Sequence, residues 1–197
     1  MRKIGLWLLV IVFFGMTKGN AQQLDLQAQI DAAQEGTVIQ LEKGVYEGNI
    51  VITKSIILEG VEGTVLKSNA DEPTITIDNT SNVTIRNINI ETLGTGMTIR
   101  KVSDIKLSNI NMENVDAGIK IYNAHDVLGS ELTIEGNTQH YSKKGNGIAI
   151  YESKSIELLD NHIRSVQDGF YIENVKDITI QGNTVTKSRY GTHFMYS

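Results

Sequence analysis

Gly96-Met97-Thr98-Ile99-Arg100 returns as Gly118-Ile119-Lys120-Ile121-Tyr122, then as Gly147-Ile148-Ala149-Ile150-Tyr151, Gly169-Phe170-Tyr171-Ile172-Glu173 and Gly191-Thr192-His193-Phe194-Met195. Three of the four glycine spacings are 22 residues, and Gly118 to Gly147 is 29, seven more. A fixed period in the twenties with alternating apolar residues marks a solenoid, in which each repeat is one unit stacked on the last.

Let the glycine be position zero, with Thr74 in its place one rung earlier. Positions one and three then read Ile75/Ile77, Met97/Ile99, Ile119/Ile121, Ile148/Ile150, Phe170/Ile172 and Thr192/Phe194. Position nine reads Val83, Ile105, Val127, Ile156 and Ile178, and position eleven reads Ile85, Leu107, Gly129, Leu158 and Ile180. Position sixteen reads Ile90, Met112, Ile134, Ile163 and Val185. Apolar residues two apart with polar ones between them put one strand face inward and the other outward. Three such strands per rung, turning at polar corners, close a triangular coil whose rungs lie about 4.8 Å apart. The fold class is all-β: a single-stranded right-handed parallel β-helix with 22-residue rungs.

Working outward from the regular rungs, Leu24 to Gln34 reads as a short amphipathic helix with Leu26, Ile30 and Ala33 on one stripe, stopped by Gly36. A solenoid needs a cap over its first rung, and this helix is assigned that role. Thr37 to Leu41, Ile50 to Ile52 and Ser55 to Gly60 read as strands of irregular rungs. Pro73, the only proline, precedes the first regular rung, where it breaks a ladder at low cost. The seven extra residues fall within Asn137 to Asn146 and must leave the coil as a loop. At position fourteen Ile88, Ile110 and Leu132 give way to Asn161 and Asn183, read as a structural ladder at a corner. The chain stops on the opening of another strand, so a longer β-helix is expected, with residues 22–197 as its domain.

The N-terminus carries Arg2 and Lys3, an apolar run from Ile4 to Phe14, and small residues in Gly19-Asn20-Ala21. That is a secretory signal pattern over residues 1–21, and the apolar run is shorter than the roughly 20 residues of a spanning helix. An exported, periplasmic or extracytoplasmic protein with no membrane span in the mature chain is expected. Net charge is −5 with no long charge run, which argues against a nucleic-acid partner. With no cysteine, disulfides, thiolate metal sites and a cysteine nucleophile are excluded.

A glycosidase needs two carboxyl groups about 5–10 Å apart beside a groove. The outward columns offer no such pair: Asp168 reads as a corner acid and Glu173 as a strand acid, both scattered solvated charge. Arg164 reads as isolated, and His125, His140, His162 and His193 lie on different rungs. One outward patch gathers His193 and Met195, two apart on one strand, with Tyr171 one rung below His193 and Tyr122 and Tyr151 stacked below the Met195 column. Histidine with a thioether suits Cu(I). A partner-contact surface and an inert surface are the other readings of the same residues.

The string Arg189-Tyr190-Gly191-Thr192-His193-Phe194-Met195-Tyr196-Ser197, preceded by Asp168-Gly169-Phe170-Tyr171-Ile172 and Gly182-Asn183, resembles the NosD family. The opening Ala32-Ala33 through Gly44-Val45-Tyr46-Glu47-Gly48 is similar to that family's start. The resemblance implies an exported, non-catalytic β-helix accessory protein. Such a protein assists copper-centre assembly of nitrous oxide reductase together with an ABC transporter and a copper chaperone, with copper implied through the family. The rival on the same fold is a polysaccharide lyase, epimerase or hydrolase, or a carbohydrate-binding module, since fold does not choose function.

Overall fold

The computed structural model describes residues 25–196, so the expected signal segment lies outside them. Asp25 caps a helix, α1 (Leu26–Ala32), its side chain accepting from Gln27 N at 2.9 Å. The helix is shorter than the sequence stripe because Ala33 leaves helical geometry, with ψ at 142°. Leu26 and Ile30 are buried against the first turn. The Gln27 amide bonds Val51 both ways, donating to its carbonyl at 3.1 Å and accepting from its N–H at 2.7 Å. It thereby closes a strand edge that would otherwise offer free backbone groups.

Seven turns follow, wound right-handed. The first holds β1 (Thr37–Gln40), β2 (Gly44–Glu47) and β3 (Ile50–Ile52); the second holds β4 (Ile56–Glu59), β5 (Thr64–Lys67) and β6 (Ile75–Asp78). The third runs through β7 (Ser81–Glu91) and β8 (Thr95–Arg100), and the fourth through β9 (Ser103–Val115) and β10 (Ala117–Tyr122). The fifth comprises β11 (His125–Gly136) and β12 (Ile148–Tyr151). The sixth has β13 (Lys154–Leu159), β14 (His162–Arg164) and β15 (Asp168–Glu173); the last has β16 (Lys176–Gln181), β17 (Thr184–Thr186) and β18 (Tyr190–Met195).

The glycine-led strands β8, β10, β12 and β15 pair in parallel with their copies above and below, and β18 with β15, in one seven-stranded sheet ordered β18-β15-β12-β10-β8-β6-β3. The register is the one the period predicts: Met97 against Ile119, Ile119 against Ile148, Ile148 against Phe170. The irregular early segments also stack. Thr37 pairs with Ile56 and Gly44 with Thr64, so β2 and β5, unread in the sequence, are rung strands of uneven turns.

The inward isoleucines and leucines are sealed: Ile77, Ile85, Ile99, Ile105 and Ile134 have no solvent exposure. At about 1.5–3 kcal/mol for each such side chain taken from water, this bore dominates stability. In the last turn Ile178, Ile180 and Val185 are only partly buried, and Phe194 is half exposed.

The corners are made by left-handed backbone recurring in columns. Asn79, Lys101, Asn123, Glu152 and Asn174 hold position five, with φ between 48° and 54°. Asn82, Asp104, Asp126, Ser155 and Asp177 hold position eight; Asn87, Asn109, Glu131, Asp160 and Gly182 hold position thirteen. The glycine column has a different cause, close approach. A Cβ on Gly147 would lie 2.5 Å from Ile163 Cγ2 and 2.7 Å from the Gly169 carbonyl.

The asparagine ladder lies inside the coil. Asn161 is fully buried; its Oδ1 accepts from Leu132 N at 2.8 Å and its Nδ2 donates to Gly129 O at 3.1 Å and Asn183 Oδ1 at 2.8 Å. Where position fourteen is Ile or Leu, one long strand (β7, β9, β11) rounds the corner. Where it is Asn, the strand divides into β13/β14 and β16/β17.

The insertion leaves and re-enters without disturbing register, with one 3-10 turn over Tyr141–Lys143. Its returning end is tied to the coil. Gly145 N donates to Asp116 O at 3.0 Å, and Gly145 O accepts from Gln167 N at 2.9 Å.

Candidate functional site

Strands β15 and β18 lie side by side with Asp168 opposite Tyr190, Tyr171 opposite His193 and Glu173 opposite Met195. In the glycine-led strands positions two and four face outward, so Tyr122, Tyr151, Tyr171, His193 and Met195 all stand on the outer face of the seven-stranded sheet. Tyr122 and Tyr151 stack with centroids 4.9 Å apart and planes 7° from parallel. Tyr151 leads to Tyr171 at 5.6 Å, and Tyr171 to His193 at 5.3 Å, edge-on. Met195 does not continue the tyrosine stack, because Glu173 stands between it and Tyr151 in the column.

Glu173 has work to do there. It accepts the Tyr171 hydroxyl at 2.9 Å. That bond, with lesser help from burial, pushes the Tyr171 phenol up to about 12. Burial, then the neighbouring Tyr122 and Glu173, raises Tyr151 as well.

Asp168 corrects the sequence reading of scattered, solvated acids. It sits one before the glycine, at the corner that opens the strand, and the Arg189 and His193 side chains of the next turn cover it. The side chain is completely buried. It accepts Arg189 Nε at 2.9 Å and Nη2 at 2.6 Å in a bidentate fork, and His193 Nδ1 lies 3.0 Å from its Oδ2. Burial would raise this carboxyl, but the bonds and charges of Arg189 and His193 outweigh it and hold the pKa below the ordinary carboxylate value. The backbone joins in: Asp168 N donates to Asn146 Oδ1 at 3.2 Å, at the returning end of the insertion.

Two consequences follow for His193. An ionised carboxylate only accepts, so Nδ1 carries the shared proton. In the neutral ring Nε2 then keeps its lone pair, the arrangement in which a carboxylate orients a metal-ligating histidine. Arg189 also lies over the Tyr190 ring, 4.9 Å from its centroid, so the clamp is packed from outside.

Sequence reasoning missed Asp168 and Arg189 as partners. The available signal was their separation of 21 residues, one rung less one, which places them on adjacent turns at one corner. Arg164 is likewise not isolated; it pairs with Glu135 across one rung. His125, beside Asp126, and His162 are both exposed, and both lie on the other sheet from His193. Among the described residues no three His, Cys, Asp or Glu side chains gather to hold a metal ion. Among them, too, no helix is long and apolar enough to cross a membrane.

A family model described as a right-handed β-helix region matches residues 44–197. A search of curated proteins finds no match. Among solved structures the chain is similar to a family 28 exopolygalacturonase from Yersinia enterocolitica, with TM-score 0.63, 13% identity, and coverage of 83% of this chain and 45% of that one. The chain thus spans less than half the length of that enzyme. It is also similar to a protein described as a glycosyl hydrolase from Parabacteroides merdae, with TM-score 0.59, 14% identity, and coverage of 84% and 87%. At these identities the likeness is one of fold.

Proposed function

The chain belongs to the right-handed β-helix family, and from that premise we propose that it is an exported, non-catalytic scaffold of the NosD kind, handling copper as cargo for the copper centre of nitrous oxide reductase. The ABC transporter and copper chaperone implied by the resemblance are its partners in this reading. The observation that carries the proposal is the buried Asp168 carboxylate on His193 Nδ1, with the Met195 thioether two residues along the same outward strand face. Imidazole and thioether are soft enough for Cu(I). Two donors make a site that gives its ion up, which suits transfer better than residence.

The same cluster speaks against catalysis by paired carboxyl groups. Asp168 is buried and spends its oxygens on Arg189 and His193, and Glu173 is engaged by Tyr171. Neither is set as the free acid and base that glycoside cleavage requires. The test is a Cu(I) competition titration of the whole protein. We expect binding weakened by His193→Ala and by Met195→Leu; unchanged affinity in both removes the copper reading. Release of unsaturated product from pectate or alginate would defeat the non-catalytic reading.

A second reading, a carbohydrate-contacting face, is favoured by the row of tyrosines beside Glu173 and Lys120 on one rigid sheet. Tyr122 and Tyr151 cover each other's faces, so a glycan would meet ring edges and hydroxyls there. Glycan-array binding abolished by Tyr171→Ala supports this reading over the first.

A further inference from the structure

The outward aromatics are joined in a way that neither copper ligation nor surface packing uses. Tyr122, Tyr151, Tyr171 and His193 form an unbroken series of ring contacts at 4.9, 5.6 and 5.3 Å. Only one of the three tyrosines has its phenol bonded to a carboxylate, Tyr171 on Glu173 Oε2 at 2.9 Å, and it is also the one touching His193. A phenol is hard to oxidise while it keeps its proton, because the radical cation is a very strong acid. A carboxylate already in hydrogen-bond contact removes that obstacle by taking the proton as the electron leaves.

We propose that Tyr171 and Glu173 form a proton-coupled oxidation relay that draws one-electron oxidising equivalents away from His193 and Met195 and into the Tyr151–Tyr122 stack. The inference rests on the copper reading for its source of oxidant: a cuprous ion held by His193 and Met195 would give one electron to hydrogen peroxide, leaving a cupric ion, a hydroxide and a hydroxyl radical, and the radical is the one-electron oxidant, ending as a second hydroxide when it takes the tyrosine electron. In the step itself the O–H bond of Tyr171 breaks and an O–H bond forms on Glu173. One electron passes from the tyrosine to the oxidant, leaving a neutral tyrosyl radical and a protonated Glu173. When the electron vacancy moves on, Tyr151 supplies an electron, Glu173 returns the proton to Tyr171, and Tyr151 releases its own proton to solvent. Met195 is what the relay spares, since thioethers oxidise readily to sulfoxide.

The relay and the copper reading can fail separately, and the experiment has two arms. In the first, without copper, a ruthenium(III) polypyridyl oxidant is generated by flash-quench with the full chain, and tyrosyl radical is read by electron paramagnetic resonance. With the exposed Tyr190 and Tyr196 changed to phenylalanine in every protein compared, most of the signal should be lost in Tyr171→Phe, and its formation should slow several-fold in Glu173→Gln. Equal yield and rate in wild type and both variants overturns the relay, whatever copper does. In the second arm the protein is loaded with Cu(I), exposed to peroxide and analysed for Met195 sulfoxide by mass spectrometry. Tyr171→Phe should raise the sulfoxide several-fold over wild type. No rise, after a positive first arm, overturns the protective role and its copper source while leaving Tyr171 oxidisable. Circular dichroism of both variants checks that the coil is intact, and Tyr46→Phe, on the first turn and outside the ring series, should leave the first-arm rate unchanged.

Discussion

Asp168 and His193 are 25 residues apart in the chain and 3.0 Å apart in space, Oδ2 to Nδ1, across one turn of the coil. The carboxylate also carries the Arg189 fork, so one buried anion organises two side chains from the next rung. Because its folded pKa lies below the unfolded value of about 3.9, this carboxylate favours the folded state wherever it is ionised. That contribution is complete above about pH 5 and is lost as pH falls through the depressed folded value. Asp168→Asn should cost about 2 kcal/mol at pH 7, less than the loss of a fully buried pair, because Arg189 can turn to water. In urea unfolding the gap between wild type and variant should narrow steadily below pH 4. A gap independent of pH would mean the anion is not what matters.

Tyr171 should be among the last tyrosines to ionise. Its phenol, raised to about 12 by the Glu173 bond, should be missing from ultraviolet titrations below pH 11. Glu173→Gln removes the negative partner and should bring that titration down toward the ordinary value of about 10. If the two curves superimpose, the hydroxyl is not bonded to Glu173 in solution.

The regular turns were legible because period and parity are both carried by side chains. Ile119 and Ile148 stack as the spacing of the glycines demands, and the insertion changes neither neighbour. The early turns were harder. Thr37 to Ile56 and Ile50 to Ile75 are unequal steps, and short strands such as β2 announce themselves only through their partners. The outward patch followed from parity, whereas the clamp behind it did not. Asp168 reads as solvated by its polarity alone, and a corner acid covered by side chains of the next turn is legible as buried only once its cation there is found.

The glycine column tests the closeness of that stacking. An alanine at Gly147 would press its Cβ on Ile163 Cγ2 and the Gly169 carbonyl, neither of which can yield without shifting a rung. Gly147→Ala should destabilise by about 1–3 kcal/mol, the usual cost of overpacking. Thermal unfolding measures it. A neutral result would show that the turns are spaced more loosely than the glycine column implies.

Lys101 offers the opposite sign. It is exposed, and its φ of 54° is left-handed, where residues other than Gly, Asn and Asp lose about 1–2 kcal/mol. Asn79, Asn123 and Asn174 meet the same corner with a residue that tolerates it. Lys101→Asn should therefore raise stability by about 0.5–1 kcal/mol, part of that loss. A drop in melting temperature would show that the lysine side chain contributes more than its backbone costs.

Asn161 gives the sharpest test of the corner logic, because its column contains both solutions. Ile88, Ile110 and Leu132 allow one strand to run through the corner, while Asn161 and Asn183 bond the backbone across it and divide the strand. Asn161→Leu copies the upper turns in volume but leaves Leu132 N–H and Gly129 C=O without their partner and strips Asn183 Oδ1 of the Asn161 amide. At about 1–3 kcal/mol for each buried group left unmet, a net loss of about 2–4 kcal/mol is expected after partial rearrangement. Changing both residues to leucine lets the sixth and last turns adopt the continuous form together. The double variant should then lose less than the sum of the singles, a coupling of at least about 1 kcal/mol in a double-mutant cycle of unfolding free energies. Strict additivity would mean that each asparagine holds its own corner and that the two strand forms are not interchangeable.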